Sequence, residues 1–409
     1  MIHCRNCEST DLALTLDLGM QPWGNDFARR DTPATSNTYP LELYFCQKCN
    51  LVQIGHTVPK EIMFVNHSYV SGTTSSLRQH FEMVGRSILQ KVAFADGDYI
   101  LDVGGNDGTF LKFFVDQGIA SLNIDPGILQ AERSEEACVP CLNTFFNKES
   151  AERIFLEHGP AKVIHGSGVF FHLEELHSAF EGVKTLLSPD GRVVIEFIYL
   201  PAMVEGGAFD QIYHEHLVYY TLHTLNRLLE RHGLALVDAE LVKIHGGSCI
   251  ATATHREQAT PSERLTELLS RESDAGYETI TPYLNFAQRA EEIRAAVLRF
   301  VNDMHKQKKT IQALGAPVKG CTIMHFCGLT EKEIERAVEV NPLKCGTWFP
   351  GTRIPVDHQD TVAKPDAYLM LSWNFRDEIL SKMSEFFDAG GLVFVPIPEP
   401  TLIGSNRSK

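Results

Sequence analysis

Cys4-Arg-Asn-Cys7 and Cys46-Gln-Lys-Cys49 are the feature that most restricts what this chain can become. A CxxC knuckle aims two thiolates at one point, and two knuckles supply the four thiolates of a tetrahedral zinc site. The first part of the chain must therefore close on itself, with residues 8–45 folded between the knuckles as a small inserted sheet. Such a zinc would be structural, because four thiolates leave no open position. A third pair, Cys138-Val-Pro-Cys141, falls on a stretch that reads as a buried strand and is expected to pack. The N-terminus lacks the apolar core of a signal peptide, which points to the cytoplasm. In that reducing compartment the ten cysteines suit metal ligands and buried thiols better than disulfides.

At 409 residues the chain exceeds one ordinary core, so two or three domains are expected. A formal net charge of -15 argues against a nucleic-acid or anionic-membrane surface. No apolar run is long enough to span a bilayer. The oligomeric state is open, a monomer included.

Tyr99-Ile-Leu-Asp-Val-Gly-Gly-Asn-Asp-Gly-Thr109 runs as an apolar strand into a glycine-rich turn, followed by a helix over 110–117. A second strand over 120–125 ends in Asp125, where a carboxylate can accept from a ribose diol. The turn departs from G-x-G-x-x-G, which weakens a dinucleotide reading. It suits S-adenosylmethionine, which has no pyrophosphate to seat, with Asp102, Gly104, Gly105, Asn106 and Asp107 as cofactor contacts.

Further strand–helix units follow. A strand over 161–165 ends at Gly166-Ser-Gly-Val-Phe-Phe-His172, placing Ser167 and His172 on the catalytic edge of the sheet. Helices are predicted over 173–187 and 222–233, with a turn at Pro189-Asp-Gly and a strand over 192–197 between them. An antiparallel pair over 234–241 and 248–254 closes the sheet through Lys243-Ile-His-Gly-Gly247. Ahead of it all, the hydroxyl-rich residues 66–76 precede a helix over 77–92. Their first expected role is capping. Thr74 and Ser75 are also candidates for phosphate or sugar binding, and Tyr69 is within reach of a neighbouring site.

Asp210-Gln-Ile-Tyr-His-Glu-His216 gathers two imidazoles, a carboxylate and a phenol within four residues. Such a set can take a proton from carbon and hold charge on a neighbouring oxygen. Alone, it would equally be a polar loop of mutually bonded side chains.

In their order along one chain, these motifs resemble the sugar C-methyltransferases, close to those acting at C3 of nucleotide-linked 4-keto deoxysugars. The likeness runs through the four cysteines, residues 69–76, the 102–109 turn and Tyr213-His-Glu-His216. It continues through Arg231-His-Gly-Leu, Gly315-Ala-Pro-Val-Lys-Gly320 and Pro350-Gly-Thr-Arg-Ile-Pro355. The resemblance implies S-adenosylmethionine and structural zinc as cofactors, and a nucleotide-diphospho-keto-deoxysugar as substrate. It implies His216 as the base at C3, with Glu215, Tyr213, His172 and Tyr69 around the sugar ring. This sequence departs from the family at Gly105, Gly168 and Cys321, the last two standing where asparagine is usual.

Residues 261–314 read as helical and charged, a solvated face or an inter-domain strut. A second α/β pattern follows, with helices over 331–340 and 377–389, strands over 367–372 and 392–396, and a polar coil from Thr401 onward. Its glycine turns could cradle a diphosphate, and the resemblance makes Lys319 and Thr352 the candidates. The expected architecture is an N-terminal zinc-binding module (1–65), a central class I methyltransferase Rossmann-like domain (66–256) and a second Rossmann-like α/β domain (257–409). Two alternatives stand beside a carbon acceptor: methylation of oxygen or nitrogen on a small metabolite, and a zinc-bearing scaffold. An NAD-linked oxidoreductase is set aside for want of its fingerprint.

Overall fold

Three sheets organise the protein, seen in a computed structural model that describes residues 2–32, 36–67 and 69–404. The first is antiparallel, from Leu12–Pro22, Thr38–Cys46 and Val52–Ile54. Its fourth strand comes from far along the chain: Val218–Tyr219 pairs antiparallel with Val52–Ile54. The expected boundary between the first two units is thus crossed by a strand that the central sequence lends to the first sheet.

The central sheet has seven strands in the order Leu234–Val242, Ser248–His255, Leu187–Ile198, Ala161–Ser167, Tyr99–Val103, Ala120–Ile124, Cys141–Leu142. All pairings from Leu187–Ile198 to Cys141–Leu142 are parallel, and Ser248–His255 is antiparallel to both of its neighbours. Strand order reverses between Tyr99–Val103 and Ala161–Ser167. The crevice beyond the carboxyl ends at that point is where open α/β sheets bind ligands. The Pro189-Asp-Gly turn is absorbed into a long strand as a register shift against Ala161–Ser167.

The third sheet runs Thr347–Trp348, Pro355–His358, Ala337–Glu339, Ile311–Leu314, Ala367–Met370, Leu392–Val395, Thr401–Ile403, parallel inside and antiparallel at both edges. Several expectations change here. The predicted helix over 331–340 is a turn, closed by Glu333 accepting from the Thr330 amide and hydroxyl, then the strand Ala337–Glu339. Pairing on both sides, with Ala337 and Val338 buried, overrides the helix-forming composition. The predicted helix over 377–389 breaks into Arg376–Ser381 and Ser384–Asp388, which turns Phe386 into the core. The start of the tail is an edge strand rather than coil, and residues 405–409 lie outside the described residues.

The charged stretch contains Glu263–Asp274 and the 26-residue helix Thr281–Lys306, about 39 Å long at 1.5 Å per residue. Its Tyr283, Phe286, Ile293, Val297 and Phe300 sit in one core with Leu41 and Phe45 of the first sheet and Ile311 and Leu369 of the third. Burial of each such side chain contributes roughly 1.5–3 kcal/mol. The strut reading therefore holds, with the first and third sheets sharing a core. Cys138 is exposed at φ 62° and Cys141 lies on the short edge strand, so that pair is not on the buried strand expected of it.

Candidate functional site

The four N-terminal cysteines come together. Cys4 and Cys49 Sγ lie 3.4 Å apart, Cys7 and Cys46 Sγ 3.5 Å apart, and all four sulfurs fall within 4.8 Å of one another. Zinc–sulfur bonds of about 2.3 Å in a tetrahedron require sulfurs roughly 3.8 Å apart, so the set fits the ion. The knuckles pack against the central core, and His177 Nε2 lies 2.9 Å from the Asn6 carbonyl between the first two cysteines.

The glycine-rich turn follows the strand Tyr99–Val103. Gly104 holds φ 65°, a conformation that L side chains rarely adopt, and a Cβ there would meet Val169 Cγ2 at 2.8 Å. A Cβ on Gly105 would meet Asn123 Oδ1 at 2.5 Å and Asp102 Oδ2 at 2.7 Å. Asp125 accepts from the amides of Asn106 at 2.9 Å and Gly127 at 2.8 Å, while burial pushes its carboxyl up to about 6. Asp102 is buried against His165, with Nδ1 at 2.6 Å from Oδ1. Across the crevice Ser167 donates to Glu196 Oε2 at 3.1 Å, and His80 Nε2 lies 2.9 Å from both oxygens of that carboxylate. Burial pushes Glu196 up, yet His80, His245 and His165 outweigh it and hold the carboxyl below its ordinary value. No local motif announces this pair, which joins residues 116 positions apart.

The hydroxyl-rich stretch straps this turn. Ser71 and Gly72 donate their amides to the side chains of Asn106 and Asp107, each at 2.9 Å. Gln130 Nε2 donates to the Tyr69 carbonyl at 2.7 Å. Thr74 precedes the helix Ser75–Lys91 without a side-chain cap bond, so the capping role expected first is not taken. Thr74 and Ser75 are exposed, and Tyr69 is half exposed beside the crevice.

His216 lies in the loop between the turn Phe209–Gln211 and the strand Val218–Tyr219. Its Nδ1 is 2.7 Å from the Gln211 carbonyl. A carbonyl only accepts, so Nδ1 carries the proton and Nε2 keeps its lone pair. The ring stacks on His172 with centroids 5.1 Å apart and meets Tyr213 at 3.8 Å. Burial, then the neighbouring His172, holds His216 well below its ordinary value, and burial brings His172 to about 3. Both imidazoles are therefore neutral near pH 7. Burial raises the Tyr213 phenol well above its usual range, so it remains a donor. His214 points elsewhere, edge-on to Tyr39 of the first sheet at 5.7 Å.

Glu215 is buried, and two donors from the zinc-bearing module converge on it. Trp23 Nε1 and Asn25 Nδ2 each lie 2.7 Å from Oε1. Burial raises its carboxyl, while these donors and the charge of Lys344 oppose that rise. The only sequence hint of this contribution was a run of turn formers around Leu18–Asn25.

Lys319 lies beside the same loop. Its Nζ is 3.9 Å from Asp210 Oδ2 and 3.7 Å from the Trp373 ring centroid, without a hydrogen bond among the described residues, and burial lowers it to about 8. Thr352 is buried, its hydroxyl donating to the Phe349 carbonyl and accepting from the Ile354 amide within its own turn. Cys321 Sγ lies 3.4 Å from the Gly24 carbonyl, close to the turn that serves Glu215.

Three family models match in succession: a zinc binding domain over residues 4–64, a methyltransferase domain over 78–239, and a C-methyltransferase C-terminal domain over 243–398. The chain is 32% identical to C-methyltransferase NovU of Streptomyces niveus over 412 residues, covering 99% of this chain and 98% of that protein. Among solved structures, an S-adenosylmethionine-dependent methyltransferase from Anabaena variabilis matches at 16% identity and TM-score 0.35, over 43% of this chain and 84% of that one. The CcbJ methyltransferase of Streptomyces caelestis matches at 13% identity and TM-score 0.34, over 44% and 90%. Among the described residues no helix is long and apolar enough to cross a membrane.

Proposed function

The chain belongs to the C-methyltransferase family, and from that premise we propose that it methylates C3 of a nucleotide-linked 4-keto-6-deoxysugar in the cytoplasm, with His216 as base. That membership answers the two alternatives of an oxygen or nitrogen acceptor and of a zinc-bearing scaffold. The observation that carries the finer reading is the tautomer of His216: its Nδ1 proton is engaged by the Gln211 carbonyl, leaving a lone pair on Nε2.

A proton alpha to a ketone is a weak acid, so its removal needs a positioned base and a donor at the oxygen that gains charge. Nε2 takes the C3 proton, and the C–H electron pair moves into an enolate ending on the C4 oxygen. Tyr213, kept protonated by burial, donates to that oxygen, with Tyr69 closing the crevice above it. Glu215 Oε2, which neither Trp23 nor Asn25 occupies, accepts a ring hydroxyl. His172, neutral and stacked on His216, covers one face of the base's ring.

S-adenosylmethionine supplies an electrophilic sulfonium methyl when bound. Asp102, Gly104, Gly105, Asn106, Asp107, Asp125 and Ser167 would hold it, and the step asks of them alignment with C3. Lys319, a buried ammonium without a hydrogen-bond partner among the described residues, would face the diphosphate. Thr74, Ser75 and Thr352 remain candidates for the sugar nucleotide, Thr352 only if its turn opens.

The test is incubation with S-adenosylmethionine and a thymidine- or cytidine-diphospho-4-keto-6-deoxyglucose in deuterium oxide, read by mass spectrometry and NMR. A new methyl on C3 establishes the reading. Deuterium at C3 without methylation keeps the enolate chemistry and reassigns the sugar. Neither signal, from protein that binds the cofactor, overturns it.

A further inference from the structure

His216 owes its tautomer to the Gln211 carbonyl, and the side chains that orient that carbonyl come from outside the central sheet. Asp210 is wholly buried. Its Oδ2 accepts the Trp373 indole N–H at 2.6 Å and faces Lys319 Nζ at 3.9 Å, while Oδ1 has no hydrogen-bond partner among the described residues. Gln211 is tied on the other side: Nε2 donates to the His245 carbonyl at 2.8 Å, and its own carbonyl is 3.5 Å from the Tyr219 hydroxyl. His245 sits at φ 55°, and the neighbouring Gly246 packs so closely that a Cβ there would lie 2.9 Å from the Trp373 ring. One residue further on, Thr322 donates to the Ile212 carbonyl at 2.7 Å.

We propose that Asp210 and Trp373 are positioning residues for His216: the indole-to-carboxylate bond fixes the turn Phe209–Gln211 so that the Gln211 carbonyl can only receive the Nδ1 proton. The inference rests on His216 being the base. An isolated buried carboxylate is costly, and apolar side chains of the same volume would pack this turn at least as well. What the carboxylate adds is direction. Its bond to an indole fixed on the third sheet sets the rotation of the following peptide. If the carbonyl turns away, imidazole is free to move its proton to Nε2. A ring in that form presents N–H, not a lone pair, to the substrate carbon.

The experiment uses the full chain with 15N-labelled histidine and the variants Trp373→Phe and Asp210→Asn. The phenyl ring still covers Lys319 but donates nothing, whereas asparagine still offers the indole an oxygen. In the unaltered protein His216 shows the Nδ1–H pattern of ring nitrogen shifts. Trp373→Phe is expected to convert it to a mixture or to the Nε2–H form, and Asp210→Asn to preserve it. With a turnover assay, Trp373→Phe lowers kcat and solvent deuterium exchange about 10- to 100-fold, with KM within about twofold. Should Trp373→Phe fail to fold, Asp210→Ala carries the same expectation. An unchanged nitrogen pattern in the donor-less variant overturns the proposal, as does a change confined to KM. Because the nitrogen shifts need no substrate, they separate this failure from that of the base assignment, which full exchange activity in His216→Asn would reveal.

Discussion

Trp23 Nε1 lies 2.7 Å from Glu215 Oε1, a bond between residues 192 positions apart. Through it the zinc-bearing module supplies part of the polar site, with Asn25 completing the pair of donors. The loop that bears His216 is thus held from both flanks: by Trp23 and Asn25 on one, by Trp373 and Thr322 on the other.

Trp23→Phe removes a donor from a buried carboxylate. Hydrogen bonds to charged groups are worth about 1.5–3 kcal/mol, so kcat/KM should fall roughly 10- to 100-fold. The donors hold the Glu215 carboxyl down against burial, so losing one raises it further. The acid limb of the pH–rate profile should move to higher pH, which kcat/KM against pH will show.

Cys46→Ser should take the zinc content from about one per chain to near zero, lower Tm by several degrees and reduce kcat/KM at least tenfold. The activity loss travels through the turn bearing Trp23 and Asn25. Elemental analysis beside thermal unfolding and kinetics measures all three.

His216→Asn should abolish both methyl transfer and deuterium exchange at C3 while leaving the dissociation constant for S-adenosylmethionine within about twofold. His214→Asn should keep exchange, because His214 packs on Tyr39 instead of in the His172–Tyr213 stack. Calorimetry and exchange NMR on the two variants decide between the histidines.

Gly72→Ala tests the strap over the glycine-rich turn and its proposed hold on the cofactor. The added Cβ would lie 2.6 Å from Thr109 Oγ1 and 2.7 Å from Asp107 Oδ2, so the Gly72 amide must leave Asp107. Affinity for S-adenosylmethionine should drop by about tenfold, measured by calorimetry, with the melting temperature changed by only a few degrees.

Burial brings His214 to about 4, against 6.5 for the free side chain. Between those values the unfolded chain binds a proton that the folded chain refuses. The contribution is therefore complete above about pH 6.5 and is lost as pH falls toward 4, by on the order of 3 kcal/mol. His214→Phe, keeping the ring against Tyr39, should flatten the fall in Tm between about pH 7 and 4.5.

Where the chemistry lies in local spacing, the sequence was readable. The paired cysteines converge as their spacing demanded, and the strand–glycine–helix unit at 99–115 carries the crevice of the central sheet. Tyr213 and His216 fall together because they share one turn of loop. Long-range partners left no such trace. Nothing near Trp23 or Trp373 announces a carboxylate partner, and His80 meets Glu196 only once a helix packs on the sheet. The predicted helix over 331–340 failed for a related reason: neighbouring strands, absent from the local pattern, claimed its backbone.

Val218–Tyr219 leaves the central unit to finish the first sheet, and this bears on how the chain can be cut. A fragment ending before residue 218 would present the bare edge of Val52–Ile54, with open amides and carbonyls ready for another chain. A fragment beginning after Ile54 would leave the loop of His216 without the strand that anchors it. The molecule is thus separable on paper into three sheets but not in a test tube. Catalytic competence should appear last in refolding, after both flanking sheets have closed on one short stretch of backbone.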